Sequence, residues 1–199
     1  KARRGNRQVA DGSSRAQEVE IARTTTYNSI MGITRRGFAI GATALGASCV
    51  PPPPAPPPNV VNDITQLNPI EVARVVAPHS VDEVATLLTS NDGPISIGGG
   101  RFSQGGQTAC AGALFLDMRE LSRIVAIDES ARTIVAEAGV TWRQIMEAVD
   151  PLGLAPKIMQ SFFNFTVGGS LSVNCHGDYV GLGSLAESVR SIRLVMADG

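Results

Sequence analysis

The sequence reads Gly98-Gly99-Gly100-Arg101-Phe102-Ser103-Gln104-Gly105-Gly106-Gln107-Thr108, with five glycines among the nine residues 98–106. A glycine-rich backbone turns sharply and aims successive amide N–H groups at one point, making an anion nest suited to a pyrophosphate. Arg101 adds a cation that can offset diphosphate charge. Spacing excludes two well-known phosphate loops. Gly98-x-Gly100 is followed by Ser103 where a doubly wound dinucleotide fold has its third glycine, and Gly100-x-x-x-x-Gly105 is followed by Gly106 rather than lysine. A second glycine-centred stretch reads Phe165-Thr166-Val167-Gly168-Gly169-Ser170-Leu171-Ser172-Val173-Asn174-Cys175-His176-Gly177. Its Thr166 hydroxyl is placed to cap a helix, whose first amides favour anions. One glycine-rich loop alone equally describes a flexible surface turn; the two together, separated by strands and a helix, are the specific signal.

Other chemistry is sparse. His79 and His176 are the two imidazoles in the 199 residues. His79 sits at a helix entry and reads as structural, whereas His176 is the one weak candidate for proton transfer. Cys49, Cys110 and Cys175 have no metal-ligand spacing and form no disulfide framework, so no metal site is expected. Cys110 reads as a loop thiol and Cys175 as a small buried hydrophobe. Trp142, Phe162, Phe163 and Phe165 read as core aromatics. A net charge of −1 gives no basic excess for nucleic acid.

The elements that must position these loops follow from pattern. Residues 73–77 form a short strand ended by Pro78. Ser80-Val81-Asp82-Glu83 is a capping box opening a helix with Val81, Val84, Ala85 and Leu88 at helical spacing. Asn91-Asp92-Gly93-Pro94 stops it, and Ile95-Ser96-Ile97 is the strand that feeds the first glycine loop. Residues 114–117 make a third strand, and 124–127 with 133–138 a hairpin. Thr141-Trp142-Arg143-Gln144 caps a second helix with Trp142, Ile145, Met146 and Val149 inward. A short helix over 167–174, a strand over 188–196 and a turn at Asp198-Gly199 complete the pattern. The chain then stops mid-motif, which reads as truncation.

The first part of the chain reads differently. Residues 1–30 show no apolar period and are assigned no secondary structure; they are expected to be a disordered or non-native extension upstream of an initiator at Met31. Thr34-Arg35-Arg36-Gly37-Phe38 and the small-residue apolar run after it resemble a twin-arginine export signal over residues 31–50. That run is too short to span a bilayer. Cleavage is expected near Ala47, and Cys49 is a weaker site for a lipid anchor. Residues 51–69, opening on Pro51-Pro52-Pro53-Pro54-Ala55-Pro56-Pro57-Pro58, read as a semi-rigid linker.

Residues 70–199 resemble the vanillyl-alcohol-oxidase/PCMH superfamily of FAD enzymes, which includes sugar-lactone and alditol oxidases. The resemblance is carried by Pro78-His79-Ser80-Val81-Asp82-Glu83-Val84, the first glycine loop, Gly139-Val140-Thr141-Trp142, Asp150-Pro151-Leu152-Gly153-Leu154, residues 165–177 and residues 195–199. It implies an α+β fold: a two-lobed PCMH-type FAD-binding domain, cut off before its substrate domain, with the diphosphate between the lobes. It implies that Gly98, Gly99, Gly100, Arg101, Phe102, Ser103, Gly105, Gly106 and Gln107 hold the cofactor from one side, and Thr166, Val167, Gly168, Gly169 and Ser170 from the other. Asn174, His176 and Gly177 would lie near the flavin or its ribityl chain. Many members carry Gly-x-Gly-His-Ser in the first loop, with the histidine bonded to the flavin. This sequence has Gly99-Gly100-Arg101-Phe102-Ser103, and phenylalanine has no nucleophilic atom, so FAD is expected to be non-covalent.

The function implied is an exported flavin-dependent oxidoreductase that oxidises an alcohol carbon of a sugar, polyol or sugar lactone. The substrate is a small molecule, and the electron acceptor is dioxygen, a quinone or a cytochrome. The alternatives are a flavoenzyme like UDP-N-acetylenolpyruvoylglucosamine reductase, against which the export signal argues, and a non-catalytic nucleotide-binding remnant.

Overall fold

The computed structural model describes the backbone of residues 18–23, and residues 57–199 in full. The export-signal region, residues 31–50, and most of the proline run lie outside the described residues. In chain order the strands and helices are β1 (Glu18–Arg23), β2 (Val60–Val61), β3 (Ile70–Glu71), β4 (Arg74–Val76), α1 (Val81–Thr89), β5 (Ile95–Gly98), β6 (Leu114–Asp117), β7 (Ile124–Asp128), β8 (Thr133–Ala136), α2 (Trp142–Val149), β9 (Leu154–Pro156), α3 (Val167–Ser172) and β10 (Val189–Ser191). They form two lobes, a mixed α+β arrangement.

In the first lobe β4 and β5 both pair in parallel with β6, in the order β4-β6-β5, and α1 makes the crossover. A central parallel strand covered on both faces reads as a continuous apolar run, and every residue of β6 is buried. Leu114 and Leu116 pack with Val84 and Leu121 on one face, and Phe115 packs with Val61 and Val72 on the other. That second cover corrects the linker boundary. Residues 60–69 belong to the packed unit: β2 pairs antiparallel with β3, and Val61 and Asp63 are buried. Phe115 needs an apolar lid, and the residues after the prolines supply it.

In the second lobe the sheet order is β10-β1-β8-β7, with β9 also paired to β1. The hairpin β7-β8 forms as its pattern predicts. Strand β1 corrects the assignment of no structure to residues 1–30. Glu18-Val19-Glu20-Ile21 alternates over too few residues to be told from coil by pattern, and β8, β9 and β10 supply its partners from the far end of the chain. The last strand is shorter than expected. Ser191 pairs with Glu18, and residues 192–196 beyond it leave Ile192, Leu194 and Met196 exposed.

Both helix caps are present. Thr141 Oγ1 accepts the Gln144 N–H, and Gln144 Oε1 accepts the Thr141 N–H, closing the second box. Ser80 Oγ accepts the Glu83 N–H, but the Glu83 carboxylate accepts from His79 rather than Ser80, one residue upstream of the standard partner. Trp142, Ile145 and Val149 are buried in the main core, while Met146 is 40% exposed. One residue round from Ile145, Met146 falls at the margin of the apolar stripe.

Candidate cofactor site

The end of β5 delivers the chain into the first glycine loop, and the loop is pinned from outside. The carboxylate of Asp63 accepts the Gly106 N–H (3.0 Å), the Thr65 N–H (2.9 Å), the Thr65 hydroxyl and the Asn68 amide (2.9 Å). These donors, the Thr65 hydroxyl foremost, hold its pKa down to about 2 although burial opposes the charge. Gly105 and Gly106 both take left-handed φ values, 84° and 75°, which lets the chain reverse and bring the Gly106 amide to Asp63. Ile64 N–H donates to the carbonyl of Arg101 (2.9 Å), a second clasp on the same loop. Among the described residues, the backbone N–H groups of residues 100–105 donate to no protein acceptor. They remain available to an anion.

Arg101 is itself left-handed, with φ 59°, a conformation a non-glycine residue keeps only when its surroundings impose it. Its guanidinium donates to Asp117 (2.6 Å) and lies 5.3 Å from the Phe115 ring centroid. Asp117 also accepts from Arg119, at 2.8 Å from Nε and 2.5 Å from a terminal nitrogen. Burial pushes the Asp117 carboxyl up, but Arg119 and Arg101 outweigh it and hold the pKa below the ordinary value. Arg101 is therefore an anchored side chain rather than a solvated surface cation, and its Nε is buried without a partner among the described residues.

The second glycine stretch meets the first directly. A Cβ on Gly99 would collide with the Thr166 hydroxyl, so the two loops touch at this pair. Here the expectation of exposed amides is corrected. The Val167 N–H donates to Val140 O (2.7 Å), the Gly168 N–H to Ala138 O (2.8 Å) and the Gly169 N–H to Thr166 Oγ1 (3.3 Å). The start of α3 has used its donors on protein, because the chain runs tightly along residues 138–140. A Cβ on Gly168 would stand 2.8 Å from Ala138 Cβ. These glycines serve close packing, and the first loop carries the free amides.

Between the lobes lies a cavity of about 830 Å³. Its wall includes Gly98, Gly99, Gly100, Arg101, Phe102, Ser103 and Gln107 from the first loop, and Thr166, Gly168, Gly169 and Ser170 from the second. Gly105, Gly106 and Val167 are not on this wall, and neither are Asn174, His176 and Gly177. Asn174 follows α3 in a left-handed turn (φ 43°), after which Cys175 enters the core and His176 lies exposed. Its side chain accepts from the Ala186 N–H, and His176 is exposed with Nδ1 against its neighbour's carbonyl, Gly177 O (3.1 Å). Cys175 is buried, which pushes its thiol pKa up, and Cys110 is exposed.

Phe102 occupies the histidine position of the resembling families and packs edge-on against Phe162 and Phe165, with centroids 5.3 and 4.7 Å away. Arg143 stacks over Phe163 at 4.1 Å and donates to Asn164, which ties this aromatic group to α2. The aromatics thus form a rigid wall, and Phe102 and Phe165 reach the cavity. Sequence reasoning missed Asp63 and Gln160. Asp63 carried a legible sign, since Asp-x-Thr is an Asx-turn pattern. Gln160 carried none.

A two-lobed α+β unit whose glycine loop presents unpaired amides to a cavity of dinucleotide size defines a binder of a phosphate-bearing cofactor. The chain belongs to the FAD binding domain family, whose model matches residues 72–199, and FAD is its cofactor. The chain is similar to decaprenylphosphoryl-β-D-ribose oxidase of Mycolicibacterium smegmatis, 37% identical over 108 residues, covering 54% of this chain and 23% of that protein. It is similar to L-gulonolactone oxidase of Mus musculus, 27% identical over 119 residues, 60% of this chain and 27% of that one. It is also similar to an alditol oxidase of a Streptomyces species, 38% identical over 73 residues, 37% and 18% of the two chains. The chain thus spans little more than a quarter, at most, of these relatives. The residues present fit FAD: unpaired loop amides for its diphosphate, contact-tight glycines at the lobe junction and an apolar wall for its ring system.

Proposed function

We propose that this chain is the FAD-binding part of an exported flavin-dependent oxidoreductase that oxidises an alcohol carbon of a sugar, polyol or sugar lactone. The observation that carries the reading is the junction at Gly99 and Thr166, where the loop with free amides closes on the second lobe beside the cavity. Bound FAD supplies the two-electron acceptor for the substrate carbon. The chain's own residues bind and orient it: the amides of residues 100–103 face its diphosphate, Asp63 and Asp117 hold that loop in shape, and Phe102 and Phe165 form an apolar wall. Phe102 offers no atom for a covalent link, so the cofactor is held non-covalently. Export rests on the twin-arginine pattern at residues 34–38 and the relatives' printed activities support the substrate class.

The test is a titration of the purified chain with FAD, followed by visible absorption and flavin fluorescence. Uptake with one FAD per chain is expected; a folded chain that leaves FAD free in solution would overturn the reading. Among the described residues, no helix is long and apolar enough to cross a membrane.

A further inference from the structure

Three side chains of the second lobe form a relay, and two of them, Ser170 and Gln160, line the cavity. The Trp142 indole Nε1 donates to Ser170 Oγ (2.9 Å), and the Ser170 hydroxyl donates to Gln160 Oε1 (2.9 Å). An indole N–H is a donor only, so Ser170 must accept there and pass its single hydrogen on. Cys175 stands beside the same hydroxyl, and burial pushes its thiol pKa up. Trp142 and Ser170 are both buried. Gln160 turns its oxygen to Ser170 to take that hydrogen. Its Nε2, with two N–H donors, makes no hydrogen bond among the described residues, where the amide is bonded through Oε1. Gln160 is half-buried and lines the cavity, as Phe165 and Thr166 do.

We infer that Gln160 is a cofactor-contacting residue whose Nε2 donates a hydrogen bond to an acceptor on bound FAD, with Ser170 and Trp142 as the positioning residues that fix the orientation of its amide. The inference rests on the FAD reading above. A freely rotating glutamine would present donor and acceptor alternately; this one presents donors alone. The wall thus selects an acceptor at that point, complementing the backbone donors of the first loop.

The experiment compares the full chain with Gln160→Glu and Gln160→Met, measuring FAD dissociation constants by flavin fluorescence and melting temperatures of the FAD-free proteins. Gln160→Glu keeps the oxygen that meets Ser170 and replaces the donor with an acceptor. Gln160→Met removes both polar atoms at similar size. The expected result is a loss of FAD affinity of about three- to tenfold in Gln160→Met, larger in Gln160→Glu, with melting temperatures equal to the parent's. Unchanged affinity in both variants overturns the donor assignment while leaving FAD binding by the parent intact. Affinity losses that follow lowered melting temperatures assign Gln160 a structural role and overturn it too. A folded parent that takes up no FAD overturns the FAD reading itself, a separate outcome.

Discussion

Asp63 and Gly106 stand 43 residues apart in the chain and are joined by a hydrogen bond from the Gly106 N–H to the Asp63 carboxylate. The bond ties the segment after the proline run to the cofactor loop. Replacing Asp63 with Asn sets amide donors against donors that now converge on a carboxylate, at Thr65, Asn68 and Gly106. Asp63→Asn is expected to lower both the melting temperature and the affinity for FAD, read by thermal unfolding and fluorescence titration. A variant that loses neither removes Asp63 from the site's support.

The same carboxylate makes stability depend on acid. Its folded pKa of about 2 lies below the ordinary 3.8, so its contribution is complete above pH 3.8 and is lost as pH falls toward 2. Asp117, held below its ordinary value by Arg119 and Arg101 against the effect of burial, acts in the same direction. Melting temperature is expected to fall across that window, and more shallowly in Asp63→Asn. Equal slopes in the two proteins would contradict the assignment.

Asp117 gathers two guanidiniums at the edge of the glycine loop. Asp117→Asn keeps the shape and removes the charge, leaving Arg101 in its left-handed conformation with a weaker anchor. A loss of about 2–3 kcal/mol in unfolding free energy is expected from denaturant titration. A change inside the scatter of surface substitutions would show the pair to be dispensable.

Gly99→Ala drives a methyl group into the Thr166 hydroxyl. Overpacking of this kind costs about 1–3 kcal/mol. FAD affinity is expected to fall as the loops separate. Thr166→Ala removes the colliding oxygen but leaves a carbon 3.2 Å from the new methyl, so the double variant should recover part of the loss. Strict additivity in the double-variant cycle would mean that the loops do not meet there.

Because Phe102 stands where other families place a flavin-linked histidine, acid precipitation of the FAD-loaded chain is expected to leave the yellow colour in the supernatant. Colour retained by the pellet would reveal a covalent link from another residue.

Local signals made much of this molecule legible. The Thr141 box, the β7-β8 hairpin and the strand leading into the glycine loop depend on neighbours in sequence, and the pattern shows them. What escaped depends on distant partners. Val61 and Asp63 look like linker until Phe115 needs a lid and Gly106 needs an acceptor. The amides of Val167 and Gly168 look free until Val140 and Ala138 claim them. Gln160 acquires meaning only through Ser170, and the exit of residues 174–177 from the cavity only through the turn at Asn174.

Strand β1 comes first in the chain yet lies inside the second sheet, with Glu18 paired to Val135 on one side and Ser191 on the other. In the order of synthesis β10 comes after β8 and β9, so the sheet cannot close until β10 has been made. Through that interval the edge of β1 that β10 will cover is an open template, the condition in which a nascent chain is most prone to pair with a stranger. The order of synthesis, and not the final packing alone, sets when this lobe becomes safe from aggregation.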